Sequence, residues 1–82
     1  MDLEARRLVW RCRRGMKELD VLLERYARPR LAGLPGPQRQ VLARFLELPD
    51  PVLAQYLLQG AVPPDPDFAR LAGAIRYADH TF

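Results

Sequence analysis

Eight prolines divide this chain of 82 residues into short segments, and they limit its possible folds more than any other feature. Between the prolines, apolar residues recur at intervals of three and four, which is the spacing of amphipathic helices. No segment shows the sustained alternation or the β-branched runs that are typical of strands. The sequence therefore predicts an all-α fold, in which brief connections join five short helices into one compact antiparallel bundle. The predicted helices lie near residues 2–12, 16–27, 37–47, 51–58 and 66–77.

Individual prolines and glycines set the predicted helix ends. We expect Pro29 to close the second helix, because a proline inside a helix removes a backbone hydrogen bond. Asp50 and Asp65 each precede a proline, so each is expected to cap a helix whose first residue is that proline. Gly60 is expected to end the fourth helix.

The length predicts one domain, residues 1–82, with an ordered core of about 3–77 and a frayed C-terminal tail. A domain this small buries only roughly 60% of its unfolded surface and is too small to enclose a cofactor and a substrate together, so we expect no catalytic activity. A single cysteine permits no internal disulfide, which is typical of a reducing compartment. No apolar run approaches the ~20 residues that span a bilayer, and no signal peptide is recognisable. The sequence predicts a cytoplasmic protein that does not insert into a membrane.

Positive charge is concentrated in the first part of the chain. The net charge is +3, but residues 1–30 hold nine Lys/Arg against five Asp/Glu, whereas residues 31–82 hold four against five. A local basic surface of this kind can steer an acidic partner, be it a protein, a nucleic acid or a phosphate. A solvated charged face with no partner explains the composition equally well.

The segment from Trp10 to Asp20 is the strongest functional signal in the sequence. Gly15 lies between the first two predicted helices, where a left-handed backbone conformation is favourable only for glycine. Arg14 and Glu18 flank this tight turn, and we expect both side chains to project toward one point in space. A surface ion pair between them would contribute only about 0.2–0.5 kcal/mol, and a cation at a helix N-terminus opposes the helix dipole. Recognition of a partner explains the turn better than stability does.

Other residue types that carry chemistry are isolated in this sequence. Trp10, the only tryptophan, is expected to lie half-buried in the core; if exposed beside Arg13 or Arg14, it would anchor an interface. Cys12 is expected to be a small buried apolar residue, because the sole histidine, His80, lies in the C-terminal tail. One cysteine and one histidine cannot complete a zinc site, so no metal is expected. Glu47 and Asp50 form a second acidic spot after the third helix, and capping explains Asp50 adequately.

The basic N-terminal part also suggests an alternative function, that of a helix-turn-helix DNA-binding protein. The helix that follows Gly15 carries Glu18, Asp20 and Glu24, which would face the DNA phosphates and repel them. We therefore expect no binding of nucleic acid. No glycine-rich phosphate-binding loop is present either.

Several motifs together resemble the succinate dehydrogenase FAD-assembly factor family. The first is Arg14-Gly15-x-x-Glu18, preceded by Trp10-x-Cys12. The second is Phe45-Leu46-Glu47, followed by Asp50-Pro51-x-Leu53 and a short helix that ends near Gly60. The resemblance covers roughly residues 3–76.

This resemblance implies a small helical chaperone that binds the flavoprotein subunit of succinate dehydrogenase, and in bacteria often that of fumarate reductase. Such factors promote the covalent attachment of FAD to a histidine of that subunit. The FAD is a cofactor of the client, and we expect this chain, a monomer, to bind none stably. By the resemblance, the contact with the flavoprotein includes Arg14, Gly15 and Glu18, with Arg7, Trp10, Arg13 and Asp50 as further candidates.

The connection before the third helix departs from the family pattern. The family usually has a Ser or Asp cap there, whereas this chain has Leu34-Pro35-Gly36-Pro37. The first amides of that helix are thus expected to lack a side-chain acceptor. An antitoxin-like role, a competing description of the family, is the second functional hypothesis together with nucleic-acid binding.

Overall fold

The computed structural model describes residues 2–78, and within them the protein is entirely helical. The helices are α1 (Leu3–Arg11), α2 (Lys17–Arg30), α3 (Gly36–Phe45), α4 (Asp50–Leu57) and α5 (Pro66–Arg76), and one 3₁₀ turn (Leu31–Gly33) follows α2. The predicted all-α fold with five helices is therefore confirmed for these residues. The C-terminal tail and His80, about which the sequence made predictions, lie outside the described residues.

All five helices pack around one apolar core, and α2 and α5 are its centre. Helix α2 contacts α1, α4 and α5, whereas α5 contacts α2, α3 and α4. Phe45 is fully buried, and its ring packs against Phe68 and Tyr56 at centroid distances of 5.4 and 6.4 Å. The largest fully buried side chains are Phe45, Leu19, Leu23, Leu31, Leu42, Leu46, Leu53, Ile75 and Cys12. No helix in the described part of the chain is long and apolar enough to cross a membrane.

Helix α2 does not end at Pro29, so that prediction was wrong. The helix continues to Arg30 and then tightens into the 3₁₀ turn, where the Leu31 N–H donates to the Ala27 carbonyl. Leu31 is fully buried, as is Ala27. Burial of these side chains outweighs the one backbone hydrogen bond that the proline removes in the last turn.

The two aspartates expected to be caps behave differently. Asp65 caps α5 as predicted, because its side chain accepts a hydrogen bond from the Asp67 N–H and Pro66 is the first helical residue. Asp50 is instead the first residue of α4, and Pro49 occupies the capping position with an extended backbone. The prediction that Asp50 caps a helix was therefore wrong. Helix α3 begins after Pro35 without a side-chain cap, as its sequence predicted.

Candidate protein-interaction surface

The connection between α1 and α2 is the tight turn that the sequence predicted. Gly15 has a φ of +86°, in the left-handed region that disfavours residues with a side chain. A Cβ atom at this position would meet no atom within 4 Å, so the backbone of Gly15 is open to a partner. The Asp20 carboxylate closes the turn by accepting a hydrogen bond of 2.6 Å from the Arg14 N–H.

The side chain of Arg14 points into the protein, contrary to the expectation that it projects outward beside Glu18. Its guanidinium donates to the Asp50 carboxylate at 2.9 Å and to the main-chain carbonyls of Arg11, Leu46 and Leu48 at 2.8–3.2 Å. Only 18% of the side chain is exposed. The structure thus brings Arg14 and Asp50 together as an internal ion pair that ties the Gly15 turn to the connection between α3 and α4.

Trp10 lies on the surface, so the prediction that it belongs to the core was wrong. Its exposed fraction is 69%, and the guanidinium carbon of Arg13 lies 5.2 Å from the centre of its ring. On α1 the buried residues are Ala5 and Leu8, and Trp10 follows Leu8 by two positions, which places it on another face of the helix. The structure instead has the alternative arrangement that the sequence analysis gave, in which an exposed tryptophan lies beside a basic residue.

Ionic contacts connect this tryptophan to α2. Arg13, which stacks on Trp10, also approaches the Glu24 carboxylate at 3.5 Å. The hydrogen bond and charge of Arg28, with a smaller contribution from Arg13, hold the pKa of Glu24 below its ordinary value. Glu24 thereby links Arg13, and through it Trp10, to α2.

Glu18 and Arg7 are both exposed. Glu18 lies in the first turn of α2, where its charge is favourable to the helix dipole, and no cation within residues 2–78 pairs with it. Arg7 precedes Trp10 by three positions on α1, so the two side chains are neighbours on the helix surface. Glu47, the other acidic residue noted in the sequence, is exposed in the connection between α3 and α4.

Sequence reasoning missed two exposed apolar residues and the role of Asp20. Near the turn, Met16 and Val21 are 39% and 42% exposed. Val21 follows Glu18 by three positions and therefore shares its face of α2. We use the term turn surface for the exposed residues around this connection: Arg7, Trp10, Arg13, Gly15, Met16, Glu18 and Val21.

In the described part of the chain, the cysteine is not an activated nucleophile and the metal-ligating residue types do not cluster. Cys12 is fully buried as predicted, its Sγ lies 3.3 Å from the Leu8 carbonyl, and burial raises the pKa of its thiol to about 12. A thiol in that state is a poor nucleophile at neutral pH. Within residues 2–78, no three His, Cys, Asp or Glu side chains come close enough to hold a metal ion. The turn surface is suited to contact with another macromolecule.

Comparison with known proteins places the chain in a family. The model of the family described as "Flavinator of succinate dehydrogenase" matches residues 6–79. The chain belongs to this family. The resemblance inferred from the motifs around Gly15 is thereby confirmed.

Curated relatives of the chain include proteins named FAD assembly factor SdhE. The protein of that name from Coxiella burnetii is 34% identical over 74 residues, which cover 90% of each chain. The one from Xylella fastidiosa is 42% identical over 73 residues, covering 89% of this chain and 75% of the relative. The one from Methylococcus capsulatus is 41% identical over 70 residues, covering 85% and 84%. No solved structure matches the chain significantly.

Proposed function

We propose that this chain is an assembly factor that binds the flavoprotein subunit of succinate dehydrogenase and promotes covalent attachment of FAD to it. Membership of the flavinator family and the names of the curated relatives support this role. The observation that carries it is the exposed turn surface, which includes both an exposed tryptophan and an open glycine backbone.

The turn surface has the composition of a protein-binding site. Tryptophan and arginine are enriched among the residues that dominate binding energies, and here Arg13 stacks on the ring of Trp10. The absence of a side chain at Gly15 lets a partner approach the backbone closely. Glu18, which has no ionic partner within the described residues, supplies a charge for a cation of the client.

The factor is proposed to act by binding and not by catalysis. Its one cysteine is buried with a raised pKa, so the chain offers no activated thiol to the flavin. Formation of the bond between FAD and the client histidine then belongs to the flavoprotein and its flavin. The factor holds the client in an arrangement competent for that reaction, as a cytoplasmic monomer that keeps no FAD of its own. The corresponding subunit of fumarate reductase is a second proposed client.

A nucleic-acid or antitoxin-like role is the alternative. On the turn surface, a DNA phosphate would meet the exposed carboxylate of Glu18, and the nearby Arg13 is already paired with Glu24. Binding of DNA through the turn surface would bring a phosphate close to this carboxylate, which weakens association.

The test measures covalent flavin on the client in cells. We expect the succinate dehydrogenase flavoprotein from cells without this factor to lose in-gel flavin fluorescence on a denaturing gel, and the wild-type gene to restore it. The purified chain should also capture the flavoprotein in a one-to-one complex. Flavin fluorescence that is unchanged without the factor, or specific retardation of DNA at nanomolar protein, would contradict the proposal.

A further inference from the structure

The guanidinium group of Arg14 is almost fully occupied by contacts within the protein. Arginine has five N–H donors, and four of them are used here: one by the Asp50 carboxylate and three by main-chain carbonyls. The side chain is also largely shielded from solvent, with 18% exposed. A client carboxylate or carbonyl would have to displace these partners before it could bind the fork of this arginine.

These contacts join segments that are far apart in the sequence. Arg14 lies 32–36 positions from Leu46, Leu48 and Asp50. We call residues 46–50, which comprise the connection after α3 and the first residue of α4, the α3–α4 corner. The main-chain N–H of Arg14 is fixed separately by Asp20, and the next residue is Gly15. The orientation of the Gly15 backbone relative to the α3–α4 corner is therefore set by Arg14 from both its side chain and its main chain.

We propose that Arg14 is a positioning residue, which holds the Gly15 turn against the α3–α4 corner and supports client binding without touching the client. This inference rests on the proposed function, because the client is the flavoprotein named there. It divides the signature Arg14-Gly15-x-x-Glu18 into one internal residue and two exposed ones. Asp50 belongs with the internal residue, so its substitution has the same effect on the turn as substitution of Arg14.

Asp50→Ala tests the proposal, with Asp67→Ala as a matched control. Both aspartates lie in the first turn of a helix, and each pairs with an arginine. The exposed fraction of the side chain is 37% for Asp50 and 46% for Asp67. Affinity for the purified flavoprotein is measured at a temperature where circular dichroism shows each variant folded. We expect Asp50→Ala to lose at least tenfold in affinity and Asp67→Ala to stay within twofold of the wild type.

A double-mutant cycle separates positioning from direct contact. If Arg14 acts through Asp50, then Arg14→Ala and the double variant with Asp50→Ala lose affinity equally, because the second change removes nothing further. Arg14→Lys should not restore binding, since an ammonium group cannot reach three separated carbonyls and a carboxylate. Direct contact predicts the reverse, namely that Asp50→Ala retains wild-type affinity while Arg14→Ala loses it. That result would overturn the proposal, as would wild-type affinity of Arg14→Ala.

A measurement on the free protein keeps this inference distinct from the proposed function. In amide NMR spectra, Asp50→Ala should shift the resonances of residues 13–16, whereas Asp67→Ala should leave them unchanged. Failure of the wild-type chain to bind the flavoprotein would refute the proposed function. Unchanged resonances of residues 13–16 in Asp50→Ala would refute the positioning role, whichever client the chain has.

Discussion

Two glycines with left-handed backbones allow the function of the Gly15 turn to be separated from its contribution to stability. Gly15 and Gly60 have φ angles of +86° and +78°, and both are exposed. Gly15 lies in the turn surface, whereas Gly60 follows the end of α4. The experiment compares Gly15→Ala with Gly60→Ala.

Both substitutions should destabilise the protein by nearly the same amount. A Cβ at Gly15 meets nothing within 4 Å, and one at Gly60 meets only the tip of the Arg76 side chain at 3.7 Å, which is ordinary van der Waals contact. The cost is thus that of a left-handed backbone alone, about 1–2 kcal/mol in the free energy of unfolding. For a domain of this size, each kcal/mol lowers the melting temperature by about 4–8 °C.

The two variants should differ in client binding. Melting is followed by circular dichroism, and affinity for the flavoprotein is measured well below the lower melting temperature. We expect Gly15→Ala to lose affinity, because its methyl group stands where the client approaches the backbone, and Gly60→Ala to bind as the wild type does. Equal affinities would refute the assignment of Gly15 to the interface. A Gly15→Ala variant with the melting temperature of the wild type would refute the argument from backbone conformation.

Three further predictions concern Trp10, Glu18 and Cys12. Trp10→Ala should leave the free energy of unfolding within about 0.5 kcal/mol of the wild type, because the ring is 69% exposed. It should weaken client affinity about thirtyfold, which corresponds to about 2 kcal/mol of binding free energy. Unchanged affinity in a binding titration would contradict this prediction. Glu18→Ala should lower the amount of covalent flavin on the client. It should reduce the free energy of unfolding by only about 0.3–1 kcal/mol, the loss of a favourable charge at the N-terminus of α2. Normal flavin fluorescence of the client would show that Glu18 is not part of the site. Burial raises the pKa of Cys12 from 9.0 to about 12, so the unfolded chain ionises first and the stability from the protonated thiol is lost as the pH rises from 9 toward 12. Urea titrations across that range should show a steeper loss for the wild type than for Cys12→Ala, and equal slopes would count against this.

The fold could be predicted because its determinants are local in the sequence. Apolar spacing and proline positions placed all five helices with ends within about three residues of those observed. The role of Pro29 was predicted wrongly, because the local rule for proline competes with the burial of Leu31, and that burial depends on helices elsewhere in the chain. Only the tertiary structure decides such a competition.

The site could be predicted only in part, because some of its features are local in the sequence and others depend on tertiary contacts. The left-handed conformation of Gly15 is a local property and was predicted. The direction of the Arg14 side chain depends on carbonyls and a carboxylate 32–36 positions away, and no spacing in the sequence indicates them. For Asp50, two prolines flank the residue, and the structure uses Pro49 as the capping position and leaves the carboxylate free to bind Arg14.

Trp10 shows why an exposed position carries more functional information than a buried one. Burying a large apolar side chain stabilises a protein by about 1.5–3 kcal/mol, and a domain this small has little stability to spare. The fold nevertheless leaves its only tryptophan on the surface, stacked with Arg13 and followed closely by the open backbone of Gly15. Stacking on Arg13 leaves most of the ring in solvent, whereas a client that covers the turn surface would bury the ring on binding.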